Sequence, residues 1–393
     1  MKIKKPPLFT LLLLMPFASI YAVLFTPSLP EIARILGVGD GQVQATMTVF
    51  LLGYAIGNLP YGPLAKRFGR KPAIYLGAVV AILGATLSLL GGLYSFFNLF
   101  LVGRFLSALG SSVGMKISFT IIADAFEQVE ATKKLSMATL AFAIAPGLAV
   151  SLGGFLTAHY GWESCFYALI TYSGFVLLLS FFLPETAPYL DKNALNYENI
   201  KESYKRKLKN KKVMYSSFMM GCATSIIYLF STLAPFLGIN QIGLDPEQYG
   251  LLNLIPPIGL IAGSFTSLWL ATRWTKLHVV KLGIKVAICA IILMLFFFMI
   301  GKLNMWSLFL PIPFLYFGTS LIFNNSSSYA MDHMQDKSTG SAIMSFSNML
   351  LATFAVLMAQ TVNSLLAIFV PLFFLVFALL AWFLQSRLKK LST

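Results

Sequence analysis

The chain has 393 residues, of which 58% are hydrophobic and 11% are charged. Because soluble globular proteins carry about a quarter charged residues, this composition excludes an ordinary water-soluble protein. The formal net charge of +15 suggests nucleic acid as a partner, so the position of the basic residues along the chain has to decide between nucleic acid and a membrane.

Long stretches of the sequence contain no Asp, Glu, Lys or Arg. They cover residues 6–30, 41–65, 72–103, 135–158, 164–184, 213–244, 248–272, 303–331 and 338–386. A helix needs about 20 predominantly apolar residues to cross a bilayer, and only helices or closed barrels satisfy their backbone groups in lipid. Since the stretches are continuously apolar and do not alternate, they predict helices and not a barrel.

We predict twelve membrane-spanning helices, numbered here as spans 1 to 12. They lie near residues 8–29, 42–65, 73–91, 98–124, 136–157, 164–183, 213–236, 248–272, 279–300, 304–328, 339–360 and 363–386. Lysines precede span 1, as in a signal peptide, but no convincing cleavage pattern follows. Span 1 is therefore expected to be retained.

The basic residues are concentrated on one side of the predicted membrane. With the N-terminus in the cytoplasm, the Lys and Arg of segments 66–71, 133–134, 192–212, 273–285 and 387–390 all face that side. Only Arg34 and Lys302 lie outside. This positive-inside bias predicts a multi-pass protein with both termini in the cytoplasm, and it accounts for the net charge without nucleic acid.

The longest polar segment divides six spans from six. We predict an N-terminal bundle at 1–184, a cytoplasmic linker at 185–212 and a C-terminal bundle at 213–393. "LAKRF" (64–68) ends span 2 and "LATRW" (270–274) ends span 8, and Leu-Gly follows each at the same distance. The fold class is therefore an all-α polytopic membrane protein of two pseudo-symmetric six-helix bundles, as expected for a duplicated transporter.

Several motifs resemble those of the major facilitator superfamily, and in particular its Bcr/CflA-type branch of drug-resistance exporters. The motifs are "GPLAKRFGRKP" (62–72) after span 2, "RFLSALGSSVGM" (104–115) in span 4, "APGLAVSLGGFL" (145–156) in span 5, "LPET" (183–186) after span 6 and "TGSAIMSF" (339–346) in span 11. The resemblance covers nearly the whole chain.

The resemblance implies a secondary transporter of the inner membrane that exports small molecules by alternating access. It implies an antiporter with protons as the candidate coupling ion, a monomer in the lipid bilayer, and no cofactor. Four positions depart from the family pattern: Val23 replaces an acid, Lys66 an Asp, Ser107 a Gln and Lys116 an apolar residue. Because no acid lies in the middle of any span, we expect the usual carboxylate-based proton coupling to be altered.

The loop after span 2 is predicted to act as a gate latch. Gly62 and Gly69 allow a tight turn with close backbone approach, and Arg67 and Arg70 are placed to bridge to acids on neighbouring helix ends. Asp124, at the end of span 4, is the obvious partner. The alternative is that these charges only orient the chain in the membrane.

Lys66 cannot take the part of the acid that the family has at this position. We expect it to pair with Asp332 or Asp336, which lie in the loop before span 11.

Span 5 carries four residues that predict either a hinge or a tightly sealed contact between the halves: Pro146, Gly147, Gly153 and Gly154. Proline removes a backbone donor and bends a helix, while glycine allows close helix packing. The alternative is the ordinary Gly and Pro content of membrane helices.

Arg104 is the strongest single candidate for a residue that binds the substrate. A cation inside the bilayer costs at least about 2.5–3.5 kcal/mol, so we predict that Arg104 faces a wet cavity; the alternative is that it reaches to the outer interface. Lys116 lies about 18 Å further along the helix and about 120° around it, so ligand contact and a structural partner both remain open. The predicted substrate-binding set is Arg104, Lys116, Ser107, Ser111, Tyr54, Asn58, Tyr228 and Asn325.

Three classes of function are open to a polytopic membrane protein. An enzyme is disfavoured because the spans hold no catalytic dyad or metal cluster, and the three Cys have no paired spacing. A receptor or channel lacks a sensor domain or filter sequence. An exporter remains, with a preference for anionic or neutral substrates because of Arg104; a carboxylate-type siderophore or metabolite is one substrate class, and a broad apolar pocket for neutral drugs is the alternative.

Overall fold

The computed structural model describes residues 5–196, 208, 210–271, 273–334, 337–361 and 367–392. Every regular element in these ranges is a helix. Eleven of the helices in the described ranges are long and apolar enough to cross a membrane. The predicted all-α polytopic architecture is therefore confirmed.

The helices follow the predicted order of the spans. In the first half they are Leu8–Leu14, Phe17–Val23, Thr26–Ser28 and Leu29–Ile35 (span 1), the short Asp40–Val43, Ala45–Gly57 and Tyr61–Phe68 (span 2), Arg70–Leu93 (span 3), Phe97–Ser111 and Val113–Ala125 (span 4), Gln128–Tyr160 (span 5) and Glu163–Phe181 (span 6).

In the second half they are Lys211–Pro235 and the π-helical Phe236–Gln241 (span 7), Pro246–Leu252 and Pro256–Leu270 (span 8), Lys276–Met299 (span 9), Met305–Phe309 and Ile312–Asp332 (span 10), Lys337–Ala359 (span 11) and Phe369–Ser392 (span 12).

Span 2 is not among the eleven because a break divides it into helices of 13 and 8 residues. Pro60 lies in this break and Pro63 in the first turn of the second helix. Proline has no backbone N–H to donate, so the helical hydrogen-bond ladder is interrupted here. The break becomes important for the site described below.

The packing of the spans repeats from one half to the other. Spans 3 and 4, 2 and 4, and 3 and 6 pack on each other; so do the corresponding spans 9 and 10, 8 and 10, and 9 and 12. The halves meet where span 2 packs on span 11 and span 5 on span 8. This repetition is the internal symmetry expected from duplication, whereas the boundaries at 184 and 212 stay a prediction.

Candidate functional site

Arg104 lies in the middle of the N-terminal half and is completely buried. Its Nη1 donates a hydrogen bond of 3.0 Å to the carbonyl of Tyr21 in span 1. The guanidinium carbon lies 4.0 Å from the ring centre of Phe25 and 4.4 Å from that of Phe50. In this arrangement of the helices Arg104 reaches neither an open cavity nor the outer interface, and its predicted contact with substrate stays a prediction.

The two rings account for part of the stability of this cation. A desolvated cation–π contact is worth about 2 kcal/mol or more. The Nε and Nη2 of Arg104 nevertheless have no hydrogen-bond partner among the described residues, and a buried donor without a partner costs about 1–3 kcal/mol. Arg104 therefore keeps two free donors and has no bonded acid within the described part of the chain.

Tyr21 connects this cation to the other helices of the half. Its hydroxyl hydrogen-bonds to the hydroxyl of Ser173 and donates to the carbonyl of Leu169 at 3.1 Å, both in span 6. Sequence reasoning missed Tyr21 and Phe25. Their spacing of four positions places them on one face of span 1, but it does not show that this face meets Arg104.

Of the two predicted serines of span 4, Ser107 lies in a contact with span 3. Ser107 and Ser111 are buried, and a Cβ added to Gly84 of span 3 would lie 2.7 Å from the Ser107 hydroxyl oxygen. Small residues at such a contact let two membrane helices approach closely. Ser107 therefore takes part in packing between spans 3 and 4.

Lys116 and Asn58, both predicted from the sequence, are in contact. The ammonium group of Lys116 donates to the backbone carbonyl of Asn58, which lies in the break of span 2. The side-chain amide of Asn58 donates to the carbonyl of Tyr54 at 2.8 Å. The structure thus brings Lys116, Asn58 and Tyr54 together, and Lys116 is only partly buried.

Of the predicted residues in the C-terminal half, Asn325 makes hydrogen bonds within that half. The amide of Asn325 in span 10 donates to the Ser267 hydroxyl of span 8 at 2.8 Å and to the Leu321 carbonyl at 2.9 Å. Tyr228 of span 7 is buried. The bonds of Asn325 lie within the C-terminal half, where they join spans 8 and 10.

Arg70 and Asp124 form the contact expected at the loop between spans 2 and 3. Arg70 Nε lies 3.0 Å from Asp124 Oδ2, and Arg70 Nη1 donates to the Ala65 carbonyl at 2.8 Å. The Thr186 hydroxyl also points to Asp124, at 3.4 Å. This cluster joins the ends of spans 2, 3, 4 and 6, while its role as a gate stays a prediction.

Glu185 completes this cluster and was missed as a functional residue. Its carboxylate accepts the backbone N–H groups of Arg70 at 2.9 Å and Lys71 at 3.1 Å, which begin span 3. An anion at a helix N-terminus stabilises the unpaired N–H groups there. Gly69 has a φ of 108°, and a Cβ added to it would lie 2.5 Å from Glu185 Oε2, so the predicted close approach is present at Gly69.

One other expectation for this loop, at Gly62, is wrong, and the expectation for Lys66 is wrong for one of its two partners. Gly62 lies within a helix, and a Cβ added there would meet nothing within 4 Å, because the loop turns at Gly69 instead. Lys66 is exposed and does not pair with Asp332, which is bonded to Lys276. Asp336, the other predicted partner of Lys66, lies outside the described residues.

The linker packs against the same loop. Arg67 Nη1 donates to the Lys192 carbonyl at 2.5 Å, and the Asp191 N–H donates to the Lys66 carbonyl at 3.0 Å. Arg67 therefore contacts the backbone of the linker, and among the described residues the expected acid, Asp124, is paired with Arg70.

The glycines of span 5 lie at helix contacts. Gly147 is packed against Pro257 and Gly154 against Pro246, both in span 8, while Gly153 is packed against the carbonyl of Leu24 in span 1. Span 5 runs through Pro146 as one helix from Gln128 to Tyr160. The geometry agrees with the predicted tight contact between the halves, and it shows no break at Pro146.

Two polar contacts also cross between the halves, near the ends of the spans that lie opposite the basic loops. The Gln360 amide donates to the Thr48 hydroxyl, and Nε2 of His159 lies 3.9 Å from Glu247 Oε2. Within the described residues no group of three or more His, Cys, Asp or Glu is placed to hold a metal ion.

Repeated helical halves that meet along two symmetric pairs of spans define a two-bundle membrane transporter. The chain belongs to the Major Facilitator Superfamily, whose sequence model matches residues 9–357. The fold and the family are those of transporters and not of enzymes.

The relatives include drug-resistance proteins of the Bcr/CflA type, as the sequence motifs implied. The chain is 25% identical to Multidrug resistance protein D of Escherichia coli (strain K12) over 83% of this chain and 80% of the relative. It is 29% identical to the Bicyclomycin resistance protein homolog of Haemophilus influenzae over 64% of this chain and 62% of the relative.

Solved structures with the same fold include a D-xylose–proton symporter, with a TM-score of 0.79 at 13% identity over 96% of both chains. The inward-open xylose transporter XylE from E. coli gives a TM-score of 0.75 at 14% identity, covering 95% of this chain and 94% of that chain. At such identities the likeness concerns the fold alone.

Proposed function

We propose that the protein is a secondary active transporter of the inner membrane that exports small molecules by alternating access and prefers anionic or neutral substrates. Both termini lie in the cytoplasm in this proposal, because the basic loops then face that side. The names of the relatives support drug efflux, and the two pairs of spans that join the halves support alternating access. The observation that carries the substrate preference is the buried Arg104, which has no bonded acid among the residues that the structure describes.

The preference follows from the sign of the charge inside the N-terminal half. Arg104 and Lys116 are its two cations within the membrane-spanning part of span 4 that the structure describes, and neither is bonded to an acid there. In a medium of low dielectric constant such charges are little screened. A substrate cation is therefore repelled, whereas a carboxylate is attracted.

Lys116 is the better placed of the two for direct contact with a substrate. It is partly buried and holds one backbone carbonyl, which a substrate carboxylate replaces with a stronger, charge-assisted bond. Arg104 is completely buried, so it acts on the substrate through its charge unless spans 1 and 2 move apart. Tyr54 and Asn58 then line the same region from span 2.

A dedicated exporter of a carboxylate-type siderophore or metabolite is the second candidate. The observation that favours it is the pair of free donors on Arg104, Nε and Nη2. A guanidinium presents its donors as a fork that matches both oxygens of a carboxylate. A polycarboxylate whose carboxylates are far enough apart would engage Lys116 and this fork together once spans 1 and 2 move away from span 4.

Proton coupling in this proposal does not use a carboxylate of span 1. Val23 stands at the position of the family acid and is buried. Asp124 and His159, the two groups considered as proton carriers in this proposal, lie at the ends of spans 4 and 5. Full dependence of transport on a pH gradient in a variant that lacks both Asp124 and His159 would contradict a carrier at either of these ends.

The test is export by proteoliposomes with a pH gradient imposed or collapsed, using a polycarboxylate, a neutral drug and a lipophilic cation. Loss of one charge-assisted bond is worth about 1.5–3 kcal/mol, so Lys116→Ala should lower the apparent affinity for the polycarboxylate about tenfold or more. Lys302→Ala, at an exposed residue outside the spans, is the matched control and should change nothing.

Two results separate the parts of the proposal. If the cation is exported better than the anion, and neither Arg104→Ala nor Lys116→Ala impairs export of the anion, the proposed substrate preference is wrong. The proposal that the protein is a transporter would still stand. Absence of flux for every compound in protein that is folded and correctly inserted would count against export itself.

A further inference from the structure

Spans 9 and 12 pack on each other. The groove between them carries Lys281, Lys285 and Trp382, and it lies at the end of the spans that the basic loops join. Lys281 and Lys285 lie four residues apart on one face of span 9, and both are exposed. Span 12 packs beside them, with the Gln385 amide donating to the Leu277 carbonyl at 3.3 Å. The ammonium group of Lys281 lies 5.6 Å from the ring centre of Trp382 in span 12.

The two lysines lie deeper than a loop charge would. At 1.5 Å per residue, Lys281 and Lys285 are about 8 Å and about 14 Å beyond Lys276, the first residue of span 9. Neither forms an ion pair among the described residues, whereas Lys276 is bonded to Asp332. In the repeat, the corresponding positions of span 3 are Tyr75 and Val79, so the C-terminal half alone has these charges.

Orientation of the chain in the membrane does not require charges at this depth. The positive-inside effect is counted over the loops and the ends of the spans, where Lys276 and Arg387 already stand. A cation within an apolar span costs free energy unless it reaches a partner. The flexible stem of a lysine lets its charge reach the level of the lipid phosphates.

We propose that this groove binds the head group of an anionic glycerophospholipid from the same leaflet. The ammonium groups of Lys281 and Lys285 donate to the phosphate, and Trp382 packs beside the glycerol at the interface, where Trp is favoured. Arg387, whose guanidinium lies 5.0 Å from the Phe383 ring centre, provides a further cation at the same end. Basic pockets between membrane helices bind such head groups.

The acyl chains have a surface to lie on. Ile292 continues the exposed face of span 9, and Leu379 lies one turn from Trp382; their side chains are 56% and 53% exposed. A free phosphate ion would gain the contacts to the lysines but not these apolar contacts. The lipid is therefore the occupant that uses the whole groove, and its binding does not depend on what the protein transports.

The test is native mass spectrometry of the full-length protein released from vesicles that contain phosphatidylglycerol and phosphatidylcholine. Each basic residue near a charged bilayer surface contributes about 1 kcal/mol, so the double variant Lys281→Gln/Lys285→Gln should retain at least about tenfold less phosphatidylglycerol. The matched control is Lys133→Gln/Lys192→Gln, which removes two exposed charges from the same membrane face and should retain as much as the wild type.

Three results would overturn the proposal. The first is that the Lys281/Lys285 double variant retains as much phosphatidylglycerol as the wild type, and the second is that the control variant loses as much as the double variant. The third is that inorganic phosphate and phosphatidylglycerol raise the melting temperature of the wild type equally. The last result would identify a site for free phosphate. Trp382→Leu, which keeps every charge, should lower the retention of phosphatidylglycerol by a smaller factor than the double variant does. Cooperative thermal unfolding in vesicles of pure phosphatidylcholine checks that all the variants are folded.

Discussion

Each half of the protein places an ion pair at the same point of its repeat, but the two pairs differ in burial. In the N-terminal half Arg70, at the start of span 3, pairs with Asp124 at the end of span 4. In the C-terminal half Lys276, at the start of span 9, pairs with Asp332 at the end of span 10. The side chains of the first pair are 9% and 18% exposed, and those of the second are 35% and 54% exposed.

The surroundings of the two pairs explain this difference. Arg70 has a planar fork of donors, which serves both Asp124 and the Ala65 carbonyl, whereas Lys276 has one point charge. Glu185 and Thr186 contact the N-terminal pair from the side of span 6, Glu185 at the Arg70 N–H and Thr186 at the Asp124 carboxylate. The ion pair therefore lies at the same place in both halves of the duplicated fold. The two pairs are expected to contribute differently to stability because they differ in burial.

The comparison predicts that Asp124→Ala has the largest effect. It leaves Arg70 buried without its acid, which costs about 3–5 kcal/mol. We expect a large fall in thermal stability in detergent, measured by scanning fluorimetry, together with low yield of folded protein.

A double variant controls for this effect. In Arg70→Met/Asp124→Leu no charge is left unpaired, and replacing a buried pair by apolar residues is often neutral, so most of the stability should return. If the double variant is as unstable as Asp124→Ala, burial of an unpaired charge is not the cause.

Gly69→Ala is expected to have the next largest effect. Gly69 has a φ of 108°, where a side chain costs about 1–3 kcal/mol, and the added Cβ would also press on Glu185. Thr275, at the corresponding position of the repeat, has an ordinary φ of −69°. Thr275→Ala is the matched control, and thermal stability should fall more for Gly69→Ala than for Thr275→Ala; the reverse order would refute the conformational argument.

Part of this comparison was available from the sequence. The Arg70–Asp124 pair was expected, because the loop motif and the end of span 4 are predictable from hydropathy. Aligning "LAKRF" with "LATRW" places Arg70 on Lys276 and Asp124 on Ala330, two residues before Asp332. The expectation that Lys66 pairs with Asp332 or Asp336 rests on the family pattern of the loop and does not use the internal repeat.

The surroundings of Arg104 were not predictable in the same way. Its burial in a span was evident, but Tyr21, Phe25 and Phe50 lie far from it in the sequence. Their approach depends on how spans 1, 2 and 4 are rotated against each other, and hydropathy alone does not determine that rotation. The same holds for Lys116, whose partner is a backbone carbonyl of Asn58 that a break in span 2 exposes.

Glu185→Gln tests the second acid of the N-terminal cluster and should cost about 1 kcal/mol. The amide keeps one of the two accepting oxygens, so one of the bonds from the Arg70 and Lys71 N–H groups is lost, together with the favourable interaction of a negative charge with the N-terminus of span 3. Because salt screens such charges, the difference in melting temperature from the wild type should shrink as the ionic strength rises. A difference that does not depend on salt would mean that Glu185 acts only through its hydrogen bonds and its shape.

Asp332→Ala should have the smallest effect of the four, at about 0–1 kcal/mol. The pair with Lys276 is exposed to solvent, where the Coulomb energy is small and fixing two long side chains costs entropy. Lys276 is 35% exposed and is solvated when its partner is removed, in contrast to Arg70. The measurement is the same thermal scan, with Lys276→Ala as a second variant that should give an equally small change. If Asp332→Ala destabilises as much as Asp124→Ala, exposure does not set the strength of these pairs, and the C-terminal pair would have to be coupled to a further contact at the end of span 10.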